Sequence, residues 1–129
     1  MRTPRFLLLD ELLQIHADQI ERYGGSPGVR DADLLSSAIG MAEAGFGDQY
    51  LHSDLFEMAA AYLFHIVQNH PFLDGNKRVG AMAAFTFLKL NGLTLKANES
   101  QFEALILAVA QGKKGKAEIT EFFRKHAKQ

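Results

Sequence analysis

The sequence predicts an all-α fold, a compact bundle of about six helices with one short flap or hairpin, and three observations point to it. Apolar residues recur at helical spacing in successive stretches, and capping residues or glycines fall at the ends of those stretches. Two of the stretches, residues 55–67 and 79–90, are apolar nearly all the way round. A helix that is hydrophobic on every side belongs inside a bundle, so these two are predicted at its centre with amphipathic helices packed around them.

Leu8, Leu12, Ile15, Gln19 and Ile20 fall at helical spacing. The pattern ends at Tyr23-Gly24-Gly25, where glycine takes the left-handed conformation that closes a helix, so a first helix is predicted over residues 10–23. Beyond the turn Ser26-Pro27-Gly28, Asp31 is placed to cap a second helix whose apolar face is Leu34, Leu35, Ala38, Ile39 and Ala42. Gly45-Phe46-Gly47-Asp48-Gln49-Tyr50 breaks the period, and its glycines and aromatics suit a surface flap or hairpin, a candidate edge for docking a substrate. Asp54 and Glu57 have capping-box spacing and open a third helix that runs to Asn69. Pro71 stops it, because the residue before a proline disfavours the helical region. A fourth helix is predicted from near Asn76 through Val79, Met82, Ala83, Phe85 and Phe87 to a cap at Asn91-Gly92. Leu93-Thr94-Leu95 is at most a short extended piece. Asn98 with Gln101 opens a fifth helix carrying Phe102, Leu105, Ile106 and Val109, and Ile119, Phe122 and Phe123 mark the last.

The length of 129 residues suits a single domain over 1–129, since a chain of this size hides roughly two-thirds of its unfolded surface on folding. Acids and bases nearly balance at net −1, which argues against a protein built to grip nucleic acid or an anionic membrane. The one basic cluster, Lys113, Lys114 and Lys116, is read as a solvated loop. Without cysteine there is no disulfide framework and no thiol nucleophile, in keeping with a reducing cytoplasm. The apolar run after Arg5 stops at Asp10, too soon for a signal peptide, so Met1 is expected to start the mature domain. Neither long apolar stretch reaches the roughly 20 residues of a membrane span.

The junction between the two central helices contrasts with them. His70, Asp74, Asn76, Lys77 and Arg78 gather in one short loop and the helical turn after it. Lys77 and Arg78 fall in the first turn of the fourth helix, where the helix dipole disfavours a cation by roughly 0.3–1 kcal/mol, so an anion is expected nearby. A phosphate fits best: a helix N-terminus opened by a glycine, Gly75, is a ready anion cradle. Asp74 is a hard oxygen ligand suited to Mg²⁺, with nucleotide phosphates supplying further ligands. Asn76 has an amide to give to a phosphate oxygen, and His70 is placed to act as a general base. Together they suit phosphoryl or nucleotidyl transfer to a hydroxyl. The same residues also have ordinary structural uses, with an Asp74–Arg78 pair and an Asn76 cap stabilising the junction and His70 merely ending a helix. His16, His52, His65 and His126 show no metal-binding spacing and are read as structural or solvent-facing. The glycine patterns of P-loop and dinucleotide folds are absent.

The run His70-Pro71-Phe72-Leu73-Asp74-Gly75-Asn76-Lys77-Arg78 resembles the Fic signature H-P-F-x-[D/E]-G-N-x-R. Arg22-Tyr23-Gly24-Gly25, Gly28-Val29-Arg30-Asp31, Ala59-Ala60-Ala61 and Phe87-Leu88-Lys89-Leu90-Asn91-Gly92 look like the Doc (death-on-curing) branch of the Fic/Doc superfamily, so the resemblance spans nearly the whole chain. It implies the Fic fold, with His70 as the base activating a target hydroxyl, Asp74 binding Mg²⁺, and Asn76, Arg78 and the Gly75 backbone holding ATP phosphates. Phe72 would anchor the loop, and the flap would align the target segment by backbone pairing. Lys77 stands where Fic adenylyltransferases usually carry glycine. In the Doc branch a lysine here implies a smaller anion hole and a reversed ATP, so that the γ-phosphate meets the hydroxyl and the enzyme is a kinase; AMPylation is the alternative. The resemblance further implies a cytoplasmic toxin of a toxin–antitoxin pair. Such a toxin phosphorylates a threonine of elongation factor Tu and blocks translation, and its cognate antitoxin covers a groove on it. The family's internal inhibitory glutamate motif is absent, so inhibition is expected from a separate partner. A mainly non-catalytic, antitoxin-bound co-regulator is the remaining alternative.

Overall fold

Six helices follow one another in the computed structural model, which describes residues 3–46 and 49–129: α1 (Leu9–Tyr23), α2 (Ala32–Glu43), α3 (Leu55–Asn69), α4 (Asn76–Leu90), α5 (Glu99–Ala110) and α6 (Lys116–His126). The expected flap is an antiparallel hairpin, β1 (Gly45–Phe46) with β2 (Gln49–Tyr50), although Gly47 and Asp48 at its tip lie outside the described residues. A second antiparallel pair joins β3 (Thr94–Leu95) to β4 (Ala127–Lys128), bringing the end of the chain back beside the α4–α5 connection. The fold is therefore helical, as expected, with two minimal strand pairs at its margins.

The two central helices lie where their apolar composition put them. On α3 the whole run Met58–Leu63 is buried, with Ile66 and Val67; on α4 so are Val79, Ala83, Ala84, Phe87 and Leu88. α3 packs mainly on α4, then on α2 and α6, while α1 lies against α4. Gly80 sets the closeness of the central pair, since a Cβ there would stand 2.9 Å from Val67 Cγ2 and 3.3 Å from the Leu63 carbonyl. At this point only hydrogen fits between the helices. Tyr62, fully buried, accepts a hydrogen bond from the Leu7 amide at 3.0 Å, tying the N-terminal segment to α3; burial pushes its hydroxyl up to about 12.

Side-chain caps fix three helix starts as the sequence predicts. Asp31, Asp54 and Asn98 accept from the amides of Leu34 (3.0 Å), Glu57 (2.9 Å) and Gln101 (3.1 Å). Two local details differ from expectation. Glu57 does not complete a capping box; its carboxylate takes the Ser53 hydroxyl instead, a neighbour that reaches it first. Lys116 is not part of a solvated loop but the first residue of α6, half-buried, its Nζ 3.1 Å from His65 Nε2 and 5.6 Å from the Phe64 ring centre. Lys113 and Lys114 are exposed. Among the described residues no helix is long and apolar enough to cross a membrane.

Candidate active site

The loop between α3 and α4 begins with a backbone conformation that needs support. His70 ends α3 in the left-handed region at φ 49°, ψ 55°, the only described non-glycine residue with positive φ. Such a conformation is uncommon for a residue with a Cβ and persists where its surroundings enforce it. Here the enforcing group is Arg30, whose Nε donates to the His70 carbonyl at 2.6 Å and whose terminal nitrogen donates to the Asn69 carbonyl at 2.7 Å. The guanidinium thus satisfies two carbonyls at the C-terminus of α3 and meets the negative end of that helix. The imidazole of His70 is exposed.

The segment before α2 then runs beside the loop as a clamp. Arg30 and Asp31 amides both donate to the Pro71 carbonyl (2.8 and 3.1 Å), and the Leu73 amide donates to Gly28 (3.1 Å). From inside, Phe72 is buried as expected, and the Asn76 side chain closes the turn by accepting from the Phe72 amide and donating to its carbonyl, both at 3.0 Å. Asn76 thus spends its amide largely within the loop.

Asp74 points to the outer side. Its carboxylate accepts from the Ser26 amide at 3.2 Å and the Gly75 amide at 2.8 Å, and these bonds, with Arg78 and His16 nearby, hold it below the usual carboxylate range. It is ionised at neutral pH. Gly25 passes so close that a Cβ on it would meet Asp74 Oδ2 at 2.7 Å. Asp74 forms no ion pair with Arg78 among the described residues, contrary to the structural alternative, because backbone amides occupy its oxygens and Arg78 turns to the Gly24 carbonyl (3.3 Å) and the Tyr23 ring (5.4 Å).

Gly75 enters α4 in the left-handed region at φ 77°, and the first amide to bond back along the helix is that of Val79, to Gly75 O at 2.9 Å. The amides of Asn76, Lys77 and Arg78 are consequently free of the helical ladder and open the N-terminus as an anion cradle. Lys77 is exposed at its rim. His70, Asp74 and Lys77 are exposed along this loop and helix start, and Arg78 is half-buried. A cavity of about 620 Å³ lies instead beyond the C-terminal end of α4, lined by residues such as Arg5, Lys89 and Asn91, and has no part in this chemistry.

The sequence model of the Fic/DOC family matches residues 6–88, from before α1 to near the end of α4. This chain belongs to the Fic/DOC family. The match covers every element that builds the loop and leaves α5 and α6 outside it. The chain is 37% identical over 89 residues to the protein called Protein kinase doc of Escherichia phage P1, covering 69% of this chain and 70% of that one. It is 40% identical over 76 residues to Toxin Doc of Mycolicibacterium smegmatis, covering 59% of this chain and 58% of the relative.

Of the residues singled out in sequence, His70, Asp74, Gly75, Asn76, Lys77 and Arg78 all lie in this one loop and helix start. Arg30 and Tyr23 entered only within the stretches of the Doc likeness, with no role at the loop assigned, and His16, read as structural or solvent-facing, is a buried structural residue that holds the loop from α1. Arg30 lies 40 positions from the carbonyl it caps. The stretches Arg22–Gly25 and Gly28–Asp31, which the Doc likeness singled out, were the available signal, since Gly25 and Gly28 permit the close approach to Asp74 and Leu73.

Proposed function

We propose that this chain is a Doc-type toxin that transfers the γ-phosphate of ATP to a protein hydroxyl. The observation that carries the reading is the open N-terminus of α4, with Lys77 exposed in its first turn, directly after a loop that holds exposed His70 and ionised Asp74. In this reading His70 accepts the proton of the target hydroxyl as its oxygen attacks the γ-phosphorus, and ADP departs. The free amides of the first turn and Arg78 hold the phosphates in line. Asp74 is the ligand for Mg²⁺, which when bound would neutralise charge on the transferring group. One carboxylate suffices for this, since Mg²⁺ in such sites takes other ligands from phosphate and water.

The names Protein kinase doc and Toxin Doc support a toxin that transfers phosphate; the setting we propose for it is the cytoplasm, with a cognate antitoxin holding it in check. The target we propose is a threonine of elongation factor Tu, with translation blocked as the result. The hairpin of β1 and β2 offers backbone groups for aligning the acceptor segment.

Incubation with γ-labelled and, separately, α-labelled ATP in cell extract tests the reading. Label from the γ position alone, on a band of elongation factor size, is the expected result. Label from the α position alone replaces kinase with AMPylation.

A further inference from the structure

One face of α1 is dedicated to the loop. His16, Ile20 and Tyr23 are spaced i, i+4, i+7 and so lie in a row along the helix. All three meet the phosphate loop. The His16 ring lies flat on Phe72, centroids 4.0 Å apart at 9°, and its Nε2 is 3.0 Å from the Asp74 carbonyl. A carbonyl only accepts, so Nε2 carries a proton and donates it. Ile20 Cδ1 stands 3.1 Å from where a Cβ on Gly25 would be and 3.4 Å from the same point on Gly75. Tyr23, largely exposed, lies under the Arg78 guanidinium.

We propose that His16 and Tyr23 are positioning residues: His16 fixes the Asp74–Gly75 peptide, and Tyr23, with the Gly24 carbonyl, fixes the Arg78 guanidinium beside Gly75. The catalytic consequence rests on the phosphotransfer reading above. The Asp74 carbonyl belongs to the peptide whose other end is the Gly75 nitrogen, so a hydrogen bond there sets how Gly75 enters α4. That entry aims the three free amides. His16 is 5% exposed and is the group holding this carbonyl, so its role is geometric and not acid–base. Tyr23 is 65% exposed, far more than packing alone would ask of an aromatic ring, and what it touches is the cation expected to grip phosphate.

Four full-length variants test this, each checked for folding by its melting temperature. His16→Phe keeps the stacked ring and loses the donor; His16→Gln keeps a donor and loses the ring. Tyr23→Leu removes the π face, and Tyr23→Phe retains it. The first readout needs no substrate: ¹⁵N–¹H shifts of the Gly75, Asn76 and Lys77 amides, and of the Arg78 Nε–H. His16→Phe is expected to move the loop amides and to lower kcat about 100-fold, the size of effect of a small misplacement near reacting groups. His16→Gln recovers at least tenfold of that. Tyr23→Leu is expected to move the Arg78 signal and raise the KM for ATP about threefold, with recovery in Tyr23→Phe. Unmoved loop amides in folded His16→Phe, or an unmoved Arg78 signal in Tyr23→Leu, overturn the inference. If His16→Phe does not fold, the Tyr23 pair decides, its site being exposed. Moved signals with no label transfer by the wild-type protein leave the positioning intact and reject the phosphotransfer reading instead.

Discussion

Two histidines five positions apart in sequence, His65 within α3 and His70 at its end, are treated in opposite ways. His70 projects an exposed ring while its backbone is gripped by Arg30 and the clamp of residues 28–31. His65 is packed against the Phe64 ring, with Lys116 Nζ at its Nε2. Burial, then the charges of Lys116 and His52, hold it down to about 4. Nearby His52 is lowered too, by burial first, and its buried Nε2 has no hydrogen-bond partner among the described residues. The difference is instructive. At the loop the protein fixes the backbone and leaves the His70 ring available; in the α3–α6 contact it packs His65 away from water and suppresses its charge. The first arrangement suits chemistry, the second cohesion.

The largest effect should come from removing the available side chain. His70→Ala is expected to lower phosphate transfer about 10²–10⁴-fold, the usual worth of a general base, with the melting temperature nearly unchanged. Equal activity in the variant would place His70 with His65 as a structural residue and favour the co-regulator reading. Gly80→Ala strikes the contact on which both regions depend. The added methyl meets Val67 and the Leu63 carbonyl, and the cost of forcing the central helices apart is expected to exceed the gain in helix propensity by about 1–2 kcal/mol in chemical denaturation.

Arg30→Ala sharpens the comparison from the backbone side. Loss of two charge-assisted bonds to the Asn69 and His70 carbonyls should cost about 1.5 kcal/mol, the low end of the range because the site is exposed. Transfer should fall alongside, since the left-handed turn at His70 loses its support. The smallest effect is the acid dependence of His65. Its pKa is about 4 in the folded protein against an ordinary 6.5, so the unfolded chain binds the extra proton first. The associated stability is complete above pH 6.5 and is lost as pH falls towards 4, by about 1 kcal/mol once its partial exposure is allowed for. Protonation would also set two cations side by side, with Lys116. His65→Gln should flatten this acid slope in denaturation measured between pH 7 and 4 and leave transfer at neutral pH as it was.

Most of the architecture was legible because it rests on local rules. Asp31, Asp54 and Asn98 cap the helices they precede, Pro71 ends α3, and the all-round apolar faces of α3 and α4 fix which helices are central. The β3–β4 pair was not legible, since two-residue strands carry no period and their partners lie over 30 positions apart. Lys116 was misread for a related reason: a lysine beside glycines looks solvated until another helix brings His65 and Phe64 to it.

The sequence by itself determined the helices, their order, the family and the chemical identity of the loop, because each depends on neighbours within a few positions or on a contiguous motif. Only the tertiary structure decided how that loop is held. Arg30 on the His70 carbonyl, His16 on the Asp74 carbonyl and Tyr23 under Arg78 are contacts between distant segments, and two of the three are made to backbone atoms. A backbone carbonyl is the same in every residue, so no side-chain pattern announces which one a distant donor will choose; the packing of α1 and of the 28–31 segment against the loop makes that choice.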